Sequence, residues 1–192
     1  MLSFVQNSYH LDVDSTYKVR IIGDPVLRRR ASEVTEIDGK LAKVADEMLV
    51  AMYEEPGIGL AAPQVGIEER FFVYDVGDGP ETLINPVILE SDGDWTYAEG
   101  CLSVPGLFWD LVRPKTILIS GYDLSGEEVK FEADELLARL FQHEMDHLNG
   151  TLLVDHLDED QRKEAMKTIR QWRDNPDNDP DDVDPNLGLS LP

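Results

Sequence analysis

The chain has 192 residues, of which 42% are hydrophobic, a composition that suits one folded domain and excludes a chain disordered throughout. Its net charge of -22, from 39 acidic and 17 basic residues, argues against a general nucleic-acid or membrane surface, because both of those partners are polyanions. The single cysteine, Cys101, excludes an intramolecular disulfide and is typical of a protein in a reducing compartment.

The N-terminal third contains one predicted strand and one predicted helix. Residues 1–16 form an N-terminal extension that we expect to be flexible, and YKVRII at 17–22 has the composition of a short strand, followed by a proline-directed turn. Asp38 is a candidate N-cap, and the apolar residues after it recur at intervals of three and four, which predicts a helix with one buried face. The proline and glycine at 56–57 end that helix.

The middle of the chain, from 70 to 133, is predicted to form antiparallel strands. It contains runs rich in β-branched and aromatic residues, separated by Gly, Pro and Asp turns: FFVYDV, TLINPVILE, WTYAEGCLSV, TILISGYD and EVKFEA. A second helix is predicted over about 134–149, with Gly150 as its C-terminal stop. A third, amphipathic helix is predicted over about 158–173, and the Pro/Asp-rich tail at 174–192 is expected to be disordered.

These elements predict an α+β fold in which antiparallel β-sheets surround a central helix, with one helix before it and one after it. The central helix carries an H-E-x-x-H motif, His143, Glu144 and His147. Two histidines four residues apart share one helix face and can hold one metal ion. The alternative is three polar residues on the solvent side of a helix. Leu136 and Leu140 continue the histidine face, so we expect an apolar pocket beside the motif.

A catalytic metal commonly takes three protein ligands and leaves a fourth position for water, so a third ligand is needed. The metalloprotease pattern H-E-x-x-H-x-x-G-x-x-H is followed as far as Gly150, but Leu153 stands where its third histidine would be. Cys101, in the strand-like segment EGCLSV, is the best candidate, because a cysteine thiolate with two imidazoles is a known catalytic ligand set. His10 and His156 are weaker candidates.

The segment PGIGLAAPQVG at 56–66 is another unusual stretch. Gly57 and Gly59 alternate with apolar residues, which allows the backbone to approach another molecule closely, and Gln64 offers a side-chain amide. The segment lacks the Lys and the Ser or Thr of a phosphate-binding loop. From its residues alone it is a glycine-rich loop or a tight strand.

Three motifs therefore stand in order along the chain: GIGLAAPQ at 57–64, EGCLS at 99–103 and HEMDH at 143–147. Together they resemble the motifs of peptide deformylase, the metal hydrolase that removes the formyl group from the N-terminal formyl-methionine of new bacterial-type polypeptides. The similarity extends over roughly 19–172, and DPVLR at 24–28 also resembles the family's N-terminal pattern. The resemblance implies that residues 17–173 form the catalytic domain.

The resemblance also implies a catalytic apparatus. It implies one divalent metal ion per chain, most simply Fe(II) in the cell, with Zn(II) or Ni(II) as alternatives, bound by Cys101, His143 and His147. Glu144 would be the acid/base that moves the proton during hydrolysis. The side-chain amide of Gln64 and the backbone N–H of Leu102 would stabilise the oxyanion that develops on the formyl oxygen.

For the substrate, the resemblance implies that the methionine side chain enters an apolar pocket while the peptide binds as an added strand. Ile58, Gly59 and Gly100 would supply backbone contacts. Ile58, Leu136 and Leu140 would form part of the pocket wall. The alternative for these aliphatic side chains is ordinary core packing.

Three charged residues lie close to the motifs. Glu99 and Arg113 are expected to form a buried or half-buried ion pair that orders the strand of Cys101, or else to have unrelated surface roles. Arg139, between the two pocket leucines, is expected to point away from the pocket.

Two other functions are compatible with the metal motif. A zinc peptidase would use Glu144 on an internal peptide bond, but the chain has Leu153 in place of the third histidine of that class. A metal-stapled structural or binding protein would keep the ligands but would not need Glu144 or Gln64.

The expected partners are N-formylmethionyl peptides and the ribosome near the nascent-chain exit, without direct nucleic-acid specificity and without a membrane. The best-known bacterial deformylases end in a basic helix for ribosome docking, whereas the predicted helix at 158–173 is mixed in charge, so docking in that manner is not expected. No apolar run approaches the roughly 18 residues of a membrane span, and the N-terminus lacks a secretory-signal pattern, so we expect a cytoplasmic protein.

Overall fold

The structure, a computed structural model, describes residues 16–55 and 57–174. The expected flexible extension and disordered tail lie outside the described residues, except for residues 16 and 174. Within the described ranges the chain forms five β-strands and three α-helices. The strands are β1 Gly59–Ala61, β2 Phe71–Tyr74, β3 Glu81–Cys101, β4 Val104–Tyr122 and β5 Glu128–Asp134. The helices are α1 Gly39–Glu54, α2 Glu135–Leu148 and α3 Glu159–Asp174.

The strands form one antiparallel sheet in the order β1-β2-β3-β4-β5, which confirms the predicted α+β class. Strands β3 and β4 pair from Ile84 opposite Tyr122 to Cys101 opposite Val104. The runs TLINPVILE and WTYAEGCLSV, predicted as separate strands, therefore belong largely to one strand. The two aspartates between them stay in the ladder, with Asp92 opposite Thr116 and Asp94 opposite Pro114 on β4.

All three predicted helices are present. The Asp38 carboxylate caps α1 by accepting hydrogen bonds from the backbone N–H groups of Lys40 at 2.9 Å and Leu41 at 3.0 Å. Helix α2 ends one residue before Asn149, and Gly150 follows with a φ of 77°, the left-handed conformation that glycine adopts without strain. Local capping and periodicity therefore determine these boundaries.

The strand predicted at 17–22 is wrong. The segment is extended, but its backbone N–H groups donate to different places, from Arg20 N–H to the Gln64 carbonyl at 2.6 Å and from Ile22 N–H to the Ser103 carbonyl at 2.8 Å. It therefore crosses between two of the motif segments without joining a ladder. A short 3-10 helix, Pro25–Arg28, forms the turn after it.

Helix α2 packs against β1, β4 and β5 of the sheet, which puts the H-E-x-x-H motif at the centre of the fold. Phe141 is fully buried and its ring contacts those of Phe72 and Tyr74 on β2 and of Phe131 on β5, at centroid distances of 5.5, 4.9 and 5.6 Å. At the C-terminal end of α2, the buried Arg70 donates to the side-chain oxygen of Asn149 at 3.0 Å. A buried cation is favourable there because it faces the negative end of the helix dipole. No helix in the described residues has the length and apolar character needed to cross a membrane.

Candidate metal centre and its cleft

The three sequence-predicted ligands come together where β3 ends against α2. The Nε2 atom of His147 lies 3.2 Å from the Sγ of Cys101 and 3.2 Å from the Nε2 of His143, and the three ligand atoms all lie within 4.8 Å of one another. His147 is 1% exposed and Glu144 is 3% exposed. Two of the three motif residues are thus buried and His143 is half-buried, so the alternative of polar residues on a solvent-facing helix side is wrong.

This donor set fits one divalent metal ion. One cysteine sulfur and two imidazole nitrogens converge from two elements, which is the number of protein ligands that catalytic metal sites commonly use. Burial lowers the pKa of His147 well below its usual value, so that its ring is held in the neutral form that binds metals. Among the described residues, neither the Nδ1 of His147 nor the Oε2 of Glu144 has a hydrogen-bond partner, although both atoms are buried. Buried polar atoms are seldom left alone, so unpaired atoms beside a convergent ligand set suit a site that holds additional molecules.

Of the two weaker ligand candidates, only His156 lies in the described part of the chain, and it is not part of this group. His156 donates from Nε2 to the Asp146 carboxylate at 2.7 Å, and its side chain is 36% exposed. His10 lies outside the described residues. Cys101 is therefore the third member of the group, as its position in EGCLSV predicted.

A buried carboxylate, Glu99, supports the ligand His143. Its Oε1 accepts a hydrogen bond from His143 Nδ1 at 2.7 Å, so the Nε2 of that ring is left to face the other two ligand atoms. Arg113 donates to both carboxylate oxygens, at 2.8 and 2.6 Å, and both residues are buried. Burial acts to raise the pKa of Glu99, but the hydrogen bonds from His143 and Arg113 outweigh it and hold the pKa well below its usual value. The predicted Glu99–Arg113 ion pair is thus confirmed in its buried form.

The orientation expected for Arg139 is wrong. It does not point away from the pocket: it is buried, it belongs to the wall of the cleft, and it donates from Nη1 to the second oxygen of Glu99 at 2.7 Å. Asp146 was overlooked, and it pairs with Arg113 at 2.9 Å. The available signal was helical spacing, because Arg139 lies four residues before His143 on the same face.

Glu144 lies between the metal ligands and β1. A Cβ added at Gly59 would come 2.6 Å from the Oε1 of Glu144, so this glycine is what allows the carboxylate to lie against the β1 backbone. Burial raises the pKa of Glu144 to about 7. The carboxylate therefore belongs to the wall of the cleft and is shielded from bulk solvent.

Gln64 is buried at the end of β1, and both ends of its amide have partners. The Oε1 accepts a hydrogen bond from the Ala61 backbone N–H at 2.8 Å, and the Nε2 donates to the Ser103 hydroxyl at 3.2 Å. These contacts fix which end of the amide faces the cleft. Leu102, the residue after Cys101, also lines the cleft, in agreement with the predicted neighbourhood.

The cleft beside the metal group has a volume of about 610 Å³ and is lined by all five predicted substrate-binding residues. Ile58 and Leu136 are 41% and 46% exposed, so the alternative of core packing is wrong for these two. Leu140 is 4% exposed and belongs both to the core and to the cleft wall. Gly59 and Gly100 present backbone to the same space.

Known proteins resemble this chain along most of its length. A family model described as polypeptide deformylase matches residues 16–163. The peptide deformylase of Thermotoga maritima is 51% identical over 142 residues, which is 73% of this chain and 87% of that protein. The peptide deformylase of Acidothermus cellulolyticus is 46% identical over 153 residues, covering 80% of this chain and 85% of that protein.

Solved structures have the same fold. The crystal structure of the Thermotoga maritima peptide deformylase superposes with a TM-score of 0.72 at 50% identity, covering 74% of this chain and 97% of that one. The Ehrlichia chaffeensis peptide deformylase in complex with actinonin gives a TM-score of 0.80 at 34% identity, covering 84% and 99%. The family match, the identity and the shared fold agree with the metal group and its cleft, and the chain belongs to the peptide deformylase family, metal-dependent hydrolases that remove the N-terminal formyl group from nascent peptides.

Proposed function

We propose that this deformylase carries out its reaction in the cleft between β1, the end of β3 and α2, and that each polar residue there has a separate role. The observation that carries the proposal is the buried Glu144 carboxylate next to the three-ligand group, with one oxygen that has no hydrogen-bond partner among the described residues. A hydrolase needs an activated water and a base within hydrogen-bond reach of it, and this is the arrangement that such a pair requires.

We assign one divalent metal ion per chain to Cys101, His143 and His147. When bound, the ion supplies the Lewis acidity that makes water a nucleophile near neutral pH. A thiolate with two imidazoles accepts Fe(II), Zn(II) or Ni(II), and we propose Fe(II) as the ion in the cell because the family resemblance favours it. Metal analysis of protein purified without oxygen is expected to give about one iron per chain; zinc at that stoichiometry with no iron would contradict the choice of metal.

Glu144 is the acid/base of the proposed reaction. As water attacks the formyl carbon, Glu144 accepts its proton and a new C–O bond forms. Glu144 then gives that proton to the amine nitrogen as the C–N bond breaks, so that formate and a free N-terminus leave. No oxidant or further reactant is needed for this balance.

The negative charge that develops on the formyl oxygen requires donors that are already in position. Gln64 suits this role because Ala61 holds its Oε1 and Ser103 takes one proton of its Nε2, which leaves the second N–H for the substrate. We propose the backbone N–H of Leu102, next to Cys101, as the second donor. The Gln64 carbonyl accepts a hydrogen bond from the Arg20 N–H, and Leu102 lies in the tight connection between the paired residues Cys101 and Val104.

Replacing Gln64 with methionine keeps most of its volume and removes the proposed donor. We expect kcat for formate release to fall by about 10²- to 10³-fold, the usual cost of one oxyanion donor. Steady-state kinetics on a formyl-methionyl peptide would measure this. Gln142→Met is the matched control, since Gln142 is also a buried amide but donates to the Pro114 and Ala138 carbonyls instead. A loss of stability with kcat retained is expected for the control, and equal kcat values for Gln64→Met and wild type would contradict the donor role.

Gly59→Ala tests the close approach of Glu144 to β1. The added methyl group would collide with the Glu144 carboxylate, which is buried and has little room to move away. We expect kcat/KM to fall by about 10²-fold, the cost of misplacing a reacting group by roughly 1 Å, while metal content stays unchanged. Gly39→Ala on α1 is the control, because a Cβ there meets no atom within 4 Å and alanine suits a helix. Unchanged activity in Gly59→Ala would show that the carboxylate does not need its present position.

The substrate is proposed to bind with its methionine side chain against Ile58, Leu136 and Leu140, and with its backbone along Ile58, Gly59 and Gly100. Exposed apolar side chains around a deep cleft are the setting in which an unbranched apolar side chain binds well. A comparison of formyl-Met-Ala-Ser with formyl-Glu-Ala-Ser tests this. We expect kcat/KM to be far lower for the glutamate peptide, because a carboxylate would lose its water in an apolar pocket; equal values would contradict the pocket assignment.

We further propose that the enzyme works in the cytoplasm near the nascent-chain exit of the ribosome, where its substrate appears. Helix α3 carries both signs of charge, so a contact with ribosomal RNA through a uniformly basic helix is not part of the proposal. Co-sedimentation with ribosomes at low and at high salt would test the association. Failure to sediment at low salt would contradict direct docking, without bearing on the catalytic assignment.

A further inference from the structure

Two residues of α2 donate hydrogen bonds to the same carboxylate, one to each of its oxygens. Arg139 and His143 lie one helical turn apart, and both reach Glu99 on β3. His143 donates from Nδ1 to Oε1 at 2.7 Å, and Arg139 donates from Nη1 to Oε2 at 2.7 Å. Arg113 from β4 bridges both oxygens. Together these donors occupy all four acceptor positions of the carboxylate, so Glu99 has no freedom to turn away from His143.

Arg139 also ties α2 to the β3–β4 hairpin. Its Nη2 donates to the backbone carbonyls of Trp95 on β3 at 2.7 Å and of Leu111 on β4 at 3.0 Å. The guanidinium carbon lies 5.1 Å from the centre of the Trp95 ring, and that ring stacks on Tyr97 at 4.7 Å. The two aromatic rings cover the guanidinium, which leaves Arg139 only 3% exposed.

These contacts connect both halves of the metal group. Cys101 is the last residue of β3, two residues beyond Glu99, whereas His143 and His147 lie on α2. Arg139 is the α2 side chain that holds both the Glu99 carboxylate and the hairpin backbone. A shift of the hairpin relative to α2 would therefore change the distance from the Cys101 sulfur to the histidine nitrogens and turn the His143 ring.

We propose that Arg139 is a positioning residue of the metal centre, which acts through Glu99 on the orientation of His143 and through the hairpin backbone on the position of Cys101. Lysine would not be equivalent, because one ammonium group cannot reproduce the planar fork that spans a carboxylate and two carbonyls. The inference rests on the metal site proposed above. Its test accordingly measures metal affinity directly and does not depend on turnover.

The test is an anaerobic titration of metal-free protein with Co(II), followed through the thiolate-to-cobalt absorption band. We expect Arg139→Leu to raise the Kd for cobalt by about 10- to 100-fold, the usual cost of removing a residue that supports a metal ligand. The absorption band of the saturated variant is expected to shift, since its intensity and position depend on the geometry around the sulfur. The KM for a formyl-methionyl peptide is expected to change much less than kcat.

Arg70→Leu is the matched control. Arg70 is also a buried arginine against α2, but it contacts the far end of that helix and not Glu99. We expect this variant to lose thermal stability and to keep the wild-type Kd. An equal rise in Kd for both variants would mean that Arg139 acts only through general stability of α2, and would overturn the proposal.

Arg139→Lys covers the case in which the leucine variant does not fold, because it keeps the buried positive charge. A Kd above the wild-type value in folded Arg139→Lys supports the proposal, and a wild-type Kd with an unshifted band overturns it. The wild-type titration distinguishes a failure of the proposed role of Arg139 from a failure of the proposed metal site. If wild-type protein binds no cobalt, the metal site itself is contradicted, whereas an unchanged Kd in the arginine variants contradicts only the role of Arg139.

Discussion

Glu144→Gln is expected to lower kcat for formate release by about 10²- to 10⁴-fold, the range that general acid–base catalysis contributes, while metal content stays at the wild-type level. Glutamine has nearly the same shape as glutamate, so the cleft wall and the neighbouring ligands remain packed. It cannot accept the proton of the attacking water or return that proton to the departing amine. Stopped or continuous formate assays on metal-loaded protein, with metal analysis of the same sample, would measure both quantities.

Glu135→Gln is the control for this substitution. Glu135 lies on the same helix, but its side chain is 56% exposed and pairs with Lys115. We expect this variant to keep the wild-type rate, because an exposed ion pair contributes little to the free energy of unfolding and this one does not reach the cleft. Loss of activity in Glu144→Gln together with loss of the metal would show that the residue maintains the site without acting as the base. A wild-type rate with metal retained would remove Glu144 from the mechanism altogether.

Cys101→Ala is expected to abolish metal binding at micromolar metal, and activity with it. The two histidines that remain lie on one helix and supply only two ligands, fewer than a stable catalytic site uses. The change in Tm on addition of metal gives a second measure of the loss of metal binding. A metal that binds only the folded state stabilises it by about 4 kcal/mol at roughly 1,000 times its Kd, so the Tm of the wild type should rise on metal addition and that of the variant should not.

His156→Ala is the control for the ligand assignment. This histidine was a candidate from the sequence, but in the structure it pairs with Asp146 outside the metal group. We expect His156→Ala to bind metal with the wild-type stoichiometry. Full metal content in Cys101→Ala, or loss of metal in His156→Ala, would contradict the ligand set.

The helices were predictable because their signals are local. Asp38 marks the start of α1 and Gly150 follows the end of α2, and both act on backbone groups within a few residues. The strands were harder, since pairing depends on distant segments. The segment 17–22 has strand composition but no neighbouring strand in register, whereas the region around Gly93 has turn composition but remains in β3 because β4 lies beside it.

The sequence predicted the metal ligands correctly, but it did not predict the position of Arg139, which holds the carboxylate beside them. The histidine spacing and the three motifs indicated His143, His147 and Cys101, and the fold brings these residues together. Arg139 was misplaced because a helical pattern shows which residues share a face but not which strand that face meets. The carboxylate that accepts the hydrogen bond from Arg139 is that of Glu99 on β3, forty residues earlier in the chain. Contacts of that separation are fixed by tertiary packing alone.

The structure weighs against both alternative functions of the motif, a zinc peptidase and a structural metal site. The zinc peptidase interpretation lacked a third histidine at Leu153, and that residue is buried in the core near the end of α2. A structural metal site would not require a buried, unpaired glutamate oxygen facing a cleft of about 610 Å³. The chain's membership of the peptide deformylase family agrees with both observations.

We propose that the group formed by Cys101, His143, His147 and Glu144 hydrolyses the formamide bond of formyl-methionyl peptides. The most direct measurement follows formate and the free amino terminus together, using formyl-Met-Ala-Ser and anaerobically purified, Fe(II)-loaded protein, with acetyl-Met-Ala-Ser as the comparison peptide. We expect one formate for each new amino terminus, intact internal peptide bonds and little reaction with the acetyl peptide. Folded, metal-loaded protein that releases no formate, or that cleaves the Met-Ala bond, would contradict it.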